Sequence, residues 1–296
     1  MIQTAACVRT QEAAPAPPPS FEWVGAWGQP GEGAGQLKQP ASIAADVDGL
    51  VYVADAGSGF VHKFDWSGQA LFSFNHPRMK RPAGIAVDAG RAIYVADSEA
   101  NRVFVFYPDG RLLREMRGGP GRRFREPAGV AVDRFGIIYV VESETNRVQK
   151  FDARGGFLKV WGQEGSEPGE FNSPADIAVG ADGFVYVADR RNLRVQKFTP
   201  DGEFVAQWGM TSEVSDPIAE AIGGIGASER FLLLADGVNR RVQVWDFDGT
   251  LRHTDTVGER FRNATETPCD VAAGRNGELL VLDPANAKVL RVKVNF

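Results

Sequence analysis

Asp176 and Asp270 are the residues of this sequence whose type and position come nearest to a metal site. Each stands directly before the apolar residue that opens a short β-rich run. The equivalent positions of the other runs hold small residues, namely Ser42, Gly84, Gly129 and Gly224. Two carboxylates among small residues could hold a hard divalent cation, because such ions prefer oxygen ligands. They could also be ordinary variants in which each aspartate side chain caps a turn.

A second set of carboxylates ends the next β-rich run of each unit, and a basic residue usually follows five positions later. The carboxylates are Asp55, Asp97, Glu142, Asp189, Asp236 and Asp283, and the basic residues are Arg102, Arg147, Arg194, Arg241 and Lys288. We expect each pair to form a charge-assisted bond across the intervening turn. Asp55 is the exception, because Phe60 stands in place of the basic residue. An unpaired carboxylate is the better site candidate, although a solvated loop residue also explains it.

Other catalytic patterns are missing from the sequence. The three histidines, His62, His76 and His253, are far apart, and the chain has no Ser-His-Asp spacing, phosphate-binding glycine loop or Cys/His cluster. The net charge of −5 gives no general attraction to nucleic acid or to anionic membranes. No apolar run approaches the roughly 18 residues that a membrane-spanning helix needs.

The elements that position these residues repeat six times along the chain. In the clearest copy, residues 174–209, four short apolar runs are separated by turns such as Pro200-Asp201-Gly202. This pattern predicts an antiparallel meander of four strands, which we name a to d in order. Strand a is apolar on both faces and has a small central residue, as a sheet packed between two neighbours and tapering inward requires. The repeat therefore favours one domain over residues 21–296.

The two ends of the repeat complement each other. Residues 21–28 carry Trp23 and Trp27 at the spacing that strand d shows elsewhere, but no strands a to c precede them. The last copy stops after its strand c, from Val289 to Val294. We predict that the N-terminal strand completes the final sheet, which closes a ring and hides two sheet edges.

The segments Asp97–Val103 and Glu142–Phe151 resemble the NHL repeat. So do the connecting loops, in which an apolar residue precedes a proline by three positions, as at Leu37, Phe124 and Phe171. The resemblance covers residues 21–296 and implies an all-β fold, a six-bladed β-propeller of four-stranded antiparallel blades. It does not identify a function, because this fold hosts enzymes, RNA-binding proteins and protein-binding modules.

The resemblance also gives the candidate carboxylates a place. In such propellers the residue before strand a lines the mouth of the central channel, so Asp176, Asp270 and, near them, Asp55 become channel-mouth candidates. The zinc-dependent amidating lyases that share this fold need several histidines around the channel. None of the three histidines falls in a strand a signature, so that metal site is not carried over to this chain.

Charge is sorted on one face of the expected propeller. The d-to-a loops share this face with the b–c turns. Its basic side comprises Arg78, Lys80, Arg81, Arg122, Arg123 and Arg125, and its acidic side comprises Glu164, Glu167, Glu170, Glu213, Asp216 and Glu220. A bipolar face suits a protein partner of complementary charge better than it suits a polyanion. The opposite face, made of short Asp-Gly turns, is expected to offer little to grip.

Residues 1–20 lie outside the repeat, and their proline-rich composition predicts a disordered tail or tether. Thr4-Ala5-Ala6-Cys7 resembles the processing site of a bacterial lipoprotein, although no apolar segment precedes Cys7 in this numbering. If a leader has been removed, a lipid on Cys7 would hold the propeller at the extracytoplasmic or periplasmic face of the cell envelope. A cytoplasmic location is the alternative.

Three functions follow, in order of preference. The first is a non-catalytic module or scaffold that binds a protein on the d-to-a loop face. The second is a metal-dependent lyase or hydrolase at the channel mouth, the one case in which we expect a cofactor, a divalent cation. The third is RNA binding on the basic loops, which aromatic stacking platforms would support, but only Phe124 stands among those arginines. We expect membrane contact only through Cys7.

Overall fold

The computed structural model describes residues 20–209, 222–237, 239–256, 268–275 and 277–295. Their strands form six four-stranded antiparallel sheets, arranged as the blades of a propeller, and one additional two-stranded hairpin. The predicted fold class is therefore confirmed. Residues 1–19, and with them Cys7 and the predicted tail, lie outside the described ranges. Within those ranges no helix is long and apolar enough to cross a membrane.

Each blade runs from its inner strand a to its outer strand d. Blade 1 contains β2 (Pro40–Ala45), β3 (Val51–Asp55), β4 (Phe60–Phe64) and β5 (Ala70–Phe74). Blade 2 contains β6 (Pro82–Val87), β7 (Ile93–Asp97), β8 (Arg102–Phe106) and β9 (Leu112–Met116). The hairpin of β10 (Gly118–Gly119) and β11 (Arg122–Arg123) follows. Blade 3 contains β12 (Pro127–Val132), β13 (Ile138–Glu142), β14 (Arg147–Phe151) and β15 (Phe157–Trp161).

The second half of the ring repeats this order. Blade 4 contains β16 (Asp176–Val179), β17 (Val185–Asp189), β18 (Arg194–Phe198) and β19 (Phe204–Gly209), with a 3₁₀ turn at Arg190–Asn192. Blade 5 contains β20 (Ile222–Ala227), β21 (Phe231–Asp236), β22 (Arg241–Asp246) and β23 (Leu251–Thr256). Blade 6 contains β24 (Asp270–Ala273), β25 (Glu278–Asp283), β26 (Lys288–Asn295) and, as its outer strand, β1 (Ser20–Trp27).

The N-terminal strand closes the ring as predicted. β1 pairs antiparallel with β26, with Phe21 opposite Val294 and Trp27 opposite Val289. A hydrophobic cluster joins blade 6 to blade 1 and includes Val53 and Leu282. The first and last segments of the propeller thus share one sheet and one core.

The core of the described residues consists of six hydrophobic clusters, one between each pair of neighbouring blades. Every residue of strand b is buried in blades 1 to 5. Such strands are continuously apolar rather than alternating, because neighbouring blades cover both faces of the sheet. The inner strands therefore form a rigid base for the loops at either end of the channel.

Candidate functional site

In blades 1 to 4 the carboxylate that ends strand b anchors the d-to-a loop that leads into its own blade. Asp97 accepts hydrogen bonds from the backbone N–H groups of Lys80 at 2.7 Å, Arg81 at 3.1 Å and Ala100 at 2.8 Å. All six of these carboxylates, Asp55, Asp97, Glu142, Asp189, Asp236 and Asp283, are fully buried. The bonds place the d-to-a loops beside the b–c turns on one face, which we call the loop face.

Asp55 does the same for the first blade, so its interpretation as an unpaired carboxylate is wrong. It accepts hydrogen bonds from the N–H groups of Lys38 at 2.7 Å and Gln39 at 2.8 Å, and His62 Nε2 lies 3.5 Å from its Oδ2. Burial alone would raise the pKa of Asp55, but hydrogen bonds from His62 and from these backbone groups outweigh it and hold the pKa well below its usual value. Asp55 therefore supports a loop.

The predicted carboxylate–arginine pairs form in three of the blades. The distances are 2.7 Å for Glu142–Arg147, 2.8 Å for Asp189–Arg194 and 2.7 Å for Asp236–Arg241. The prediction is wrong for Asp97, because backbone N–H groups already donate hydrogen bonds to both of its carboxylate oxygens. Arg102 instead binds Glu115 at 2.8 Å.

The channel-mouth positions hydrogen-bond from blade to blade. Asp270 Oδ2 accepts bonds from Ser42 Oγ at 2.7 Å and from the N–H of Ile43 at 2.8 Å, so it links blade 6 to blade 1. Asp176 Oδ2 accepts the N–H of Ile225 at 3.0 Å, which links blade 4 to blade 5. A Cβ at Gly129 or Gly224 would collide with these carboxylates. Each aspartate carboxylate therefore occupies the space that a side chain would need at the glycine of the preceding blade.

Both aspartates are buried, and burial disfavours their charged forms. Burial raises the pKa of Asp176 well above its usual value, and the nearby charge of Asp270 adds to that shift. Burial raises the pKa of Asp270 to about 6. Across the described part of the chain, no three or more His, Cys, Asp or Glu side chains form a group that could hold a metal ion. A cation at this mouth would need Asp176 and Asp270 as its ligands. Both oxygens of Asp270 already accept hydrogen bonds.

One of the predicted basic residues, Arg78, shares with two other arginines a carboxylate that the sequence does not single out. Glu115 on β9 has a side chain only 11% exposed, and three guanidinium groups surround it. Arg78 lies 2.7 Å away, Arg102 2.8 Å and Arg117 3.6 Å. We call Arg78, Arg102, Arg117, Arg123 and Arg125, with Glu115 among them, the arginine cluster. It spans the joint between blades 2 and 3.

Two shallow notches open on this side of the loop face. One, of about 350 Å³, is lined by Arg102, Arg117, Arg123 and Arg125 of the arginine cluster. The other, of about 460 Å³, lies between blades 1 and 2 and includes Lys80 and Arg81. Exposed carboxylates pair with some of these cations: Glu144 binds Arg125 at 2.9 Å, and Glu99 binds Lys80 at 3.2 Å.

Buried glutamines on strand c hold both the basic and the acidic loops. Gln149 receives the N–H of Gly119 at 2.8 Å and donates to the carbonyl of Arg122 at 2.9 Å, which fixes the β10–β11 hairpin. Gln196 does the same in the acidic loop, where it donates to the carbonyl of Glu170 at 2.6 Å. Of the predicted acidic residues, Glu164 and Glu167 are exposed there, whereas Glu213, Asp216 and Glu220 lie outside the described ranges.

The face opposite the loop face is not featureless, so the expectation that it offers little to grip is wrong. A cavity of about 1350 Å³ opens there, lined by the a–b turns of blades 3 to 6. These turns are short, and the cavity lies between them at the ends of the inner strands. Phe135, on one of these turns, is 72% exposed.

Comparison with protein families agrees with this architecture. Residues 79–106, 124–151 and 171–198 each match the NHL repeat. Each match begins in a d-to-a loop and runs through strands a, b and c of blade 2, 3 or 4. The propeller thus contains three NHL repeats. Among curated proteins, no sequence matches it.

Solved structures similar to this propeller include enzymes. A streptogramin B lyase has a TM-score of 0.67 at 14% identity, and the match covers 94% of this chain and 98% of the lyase. A catalytically inactive histidine-to-alanine variant of virginiamycin B lyase from Staphylococcus aureus, with quinupristin, gives 0.63 at 14% identity over 89% and 82% of the two chains. Hydrazine synthase from Kuenenia stuttgartiensis gives 0.61 at 13% identity over 88% and 96%. At these identities the likeness shows the fold alone.

Proposed function

We propose that this NHL propeller is an interaction module whose loop face docks a protein with an acidic surface. The observation that carries the proposal is the arginine cluster. Glu115 is one carboxylate against three guanidinium groups, and Arg123 and Arg125 add two more cations against Glu144. The cluster therefore has more positive than negative charge, whereas the far side of the same face, at Glu164 and Glu167, is acidic.

The cluster is ordered before any partner arrives. Glu115 holds Arg78, Arg102 and Arg117 from a largely buried position, and Gln149 fixes the backbone beside Arg123. Groups held in place this way lose less conformational entropy on binding. The separation of basic and acidic sides also favours one orientation of a partner over the reverse.

The test reverses the charge of Arg123 and Arg125 of the cluster and of the neighbouring Arg122, and it leaves Glu115 and Gln149 unchanged. Arg122→Glu/Arg123→Glu/Arg125→Glu changes three exposed side chains, so the melting temperature should stay within about 3 °C of wild type. Partners are first captured from native extract, and association is then followed at low salt. We expect the association rate to fall about tenfold or more, because charges at an interface rim act mainly on encounter.

The matched control places the same charge change on the opposite face. Arg91→Glu/Arg111→Glu/Arg154→Glu alters three exposed arginines on a–b and c–d turns. This control should bind the partner as wild type does. If the loop-face variant, the control and wild type all retain the same partners at the same rate, the proposal fails.

RNA binding on the same residues is distinguished by nuclease treatment. Loss of the captured material after nuclease, for wild type and control alike, would favour RNA over a protein. Stacking of bases on aromatic side chains is the usual means of binding single-stranded RNA. Phe124, the aromatic residue among the arginines, is only 2% exposed and packs against Phe151, so it offers no stacking surface.

A second candidate is a metal-dependent lyase or hydrolase at the channel mouth. The similarity in fold to streptogramin B lyase and the coupled pair Asp176 and Asp270 favour it. The catalytically inactive variant of virginiamycin B lyase carries a histidine-to-alanine substitution. The histidines of this chain lie on β4, in the loop after β5 and on β23, away from the inner strands, which argues against this candidate. Metal analysis of wild type and of Asp176→Asn/Asp270→Asn would decide: metal that is present in the first and lost from the second supports this candidate.

We further propose that the module is tethered to the cell envelope through a lipid on Cys7, on the basis of the small residues before that cysteine and the proline-rich stretch after it. Mass spectrometry of the protein from its native host provides the test. A lipid adduct on Cys7 would support the tether, and a free Cys7 thiol would remove it.

A further inference from the structure

Blade 1 brings a serine, a histidine and an aspartate together. Ser73 on β5 lies opposite His62 on β4 in the strand pairing, and its Oγ is 2.7 Å from His62 Nδ1. The other ring nitrogen, Nε2, lies 3.5 Å from Asp55 Oδ2. A hydroxyl, an imidazole and a carboxylate in this order form the constellation that activates serine nucleophiles. No sequence motif marks it, because strand pairing rather than chain spacing brings the three side chains together.

The imidazole is held in one orientation. His62 is only 3% exposed, and the rings of Phe60 and Phe64 on the same strand lie 6.3 Å and 6.5 Å from it between ring centroids. Burial alone would raise the pKa of Asp55, but hydrogen bonds from His62 and from backbone N–H groups lower it, so the carboxylate is ionised. A negative charge facing Nε2 favours the tautomer that carries its proton on that nitrogen. Nδ1 then keeps its lone pair directed at the Ser73 hydroxyl.

This histidine replaces a glutamine that fastens the d-to-a loop in another blade. In blade 4, Gln196 Oε1 accepts the N–H of Gly169 at 2.8 Å. The d-to-a loops of blades 1 and 4 share the same backbone hydrogen bonds, and Gly35 is the counterpart of Gly169. A side chain at Gly35 would collide with Ala70 of β5, so this loop lies against the outer strand. The Gly35 N–H has no hydrogen-bond partner among the described residues, so it remains available to a negatively charged oxygen near His62.

The serine can be reached from solvent. Ser73 is half-buried on the outermost strand of blade 1, whose outer edge pairs with no other strand of the described residues. Leu71, two residues before it, is 46% exposed. An exposed apolar side chain near a nucleophile gives the hydrocarbon part of a substrate a surface to contact. This open position suits a small substrate that approaches from solution.

We propose that Ser73 is a nucleophile that hydrolyses small carboxylic esters, with His62 as its general base. Ser73 Oγ bonds to the ester carbonyl carbon while its proton passes to His62 Nδ1, and the Gly35 N–H stabilises the oxyanion that forms. The bond from the carbonyl carbon to the alkoxy oxygen then breaks, and the alcohol leaves with that proton. Water attacks the acyl-serine, gives a proton to His62 and releases the carboxylic acid, while the proton returns to Ser73. Asp55 stabilises the imidazolium in both steps.

A fluorophosphonate that carries a fluorophore tests whether Ser73 is activated, because such probes phosphonylate nucleophilic serines and release fluoride. The full chain is incubated with the probe, and the modified peptide is identified by mass spectrometry. We expect one adduct, on Ser73, and its loss after heat denaturation before labelling. No adduct on the folded protein would overturn the proposal. So would an adduct on Ser58 instead, whose Oγ lies 3.5 Å from the other ring nitrogen of His62.

Variants then test the roles. Ser73→Ala should abolish labelling, and His62→Gln should slow it about 100-fold or more, as expected for loss of a general base. Glutamine occupies the equivalent position in blades 3 to 5, so His62→Gln should keep the fold. Ser67→Ala is the matched control, because Ser67 Oγ donates to Asp65 at 2.6 Å and so lies beside a carboxylate rather than an imidazole. Labelling of His62→Gln at the wild-type rate would refute the role of the histidine.

Hydrolysis of p-nitrophenyl acetate tests turnover. We expect wild type and Ser67→Ala to release p-nitrophenolate equally, and Ser73→Ala to fall to the level of heat-denatured protein. Equal turnover by Ser73→Ala and wild type, or none by wild type, would refute the hydrolytic step. The loop-face variant Arg122→Glu/Arg123→Glu/Arg125→Glu should be labelled as wild type is. Because no partner protein enters these assays, their failure leaves the proposed docking function untouched.

Discussion

The contact between strand d of one blade and the c–d turn of the next sets how tightly neighbouring blades can pack. Gly202 turns the c–d hairpin of blade 4 with φ +77° and lies against the indole of Trp161, which ends strand d of blade 3. The same contact recurs between Trp27 and Gly68 at the ring closure, and between Trp208 and Gly249. An added methyl group at such a glycine has no space.

Gly202→Ala should therefore be destabilising for two separable reasons. An L-residue in the left-handed region costs about 1–2 kcal/mol. In addition, the new Cβ would lie 2.5 Å from Cδ2 of Trp161, and overpacking of this kind costs about 1–3 kcal/mol. We expect a total loss of about 2–5 kcal/mol in the free energy of unfolding.

Gly183→Ala measures the backbone cost of the left-handed conformation without the packing cost. Gly183 has φ +83° on the a–b turn of the same blade, and no atom lies within 4 Å of the position that an added Cβ would take. It should lose only the backbone cost of about 1–2 kcal/mol. Urea denaturation of both variants measures the difference. If Gly202→Ala is no more destabilising than Gly183→Ala, the packing argument is refuted.

A double-mutant cycle tests whether Trp161 is the side chain with which the new Cβ at residue 202 collides. Trp161→Leu removes the indole ring, and it breaks no hydrogen bond because the buried Nε1 has no partner among the described residues. In this background Gly202→Ala should cost about as much as Gly183→Ala. The coupling energy between the two sites should then be about 1–3 kcal/mol, as for residues in direct contact.

Two further predictions concern the closure and the channel mouth. Deleting residues 1–28 should expose the edge of β26 and cause aggregation or a large loss of stability, whereas deleting residues 1–19 should not; equal stability by thermal melting would refute closure by β1. The pKa of Asp270 is raised to about 6, so the native state binds the proton of this carboxyl more tightly than the unfolded chain does. The stability that Asp270 contributes is therefore lost as the pH rises from about 4 to about 6. Urea midpoints across this range should show that slope in wild type and a smaller one in Asp270→Asn, and equal slopes would contradict the assignment.

The fold could be predicted because its signals are local and repeated. Turns such as Pro200-Asp201-Gly202 bound each strand, and the orphan strand at residues 21–28 matches the strand that the last repeat lacks. A short-range pattern that occurs six times leaves few alternative topologies. The blade order then follows from chain order alone.

The candidate sites were predicted less well because they depend on contacts between distant segments. Glu115 lies 37 residues from Arg78 in the chain, and nothing near it marks it as their common partner. The sequence does not reveal the role of Asp55, because backbone N–H groups of Lys38 and Gln39 donate to its oxygens and no side-chain pattern marks such donors. The cavity behind the a–b turns depends on how far apart the inner strands stand, which the sequence of any single turn does not encode.

The sequence does carry one signal for the residues that hold the d-to-a loops. In blades 3 to 5 the residue two positions after the strand c arginine is glutamine, at Gln149, Gln196 and Gln243, and in blade 1 His62 takes this place. Gln149 and Gln196 bind both the strand b carboxylate and the d-to-a loop. The loop face is thus held from inside by residues that a partner does not reach, while the exposed arginines remain replaceable. Charge on this face can therefore change without loss of the scaffold, which is why surface reversal should alter encounter with a partner and leave the fold intact.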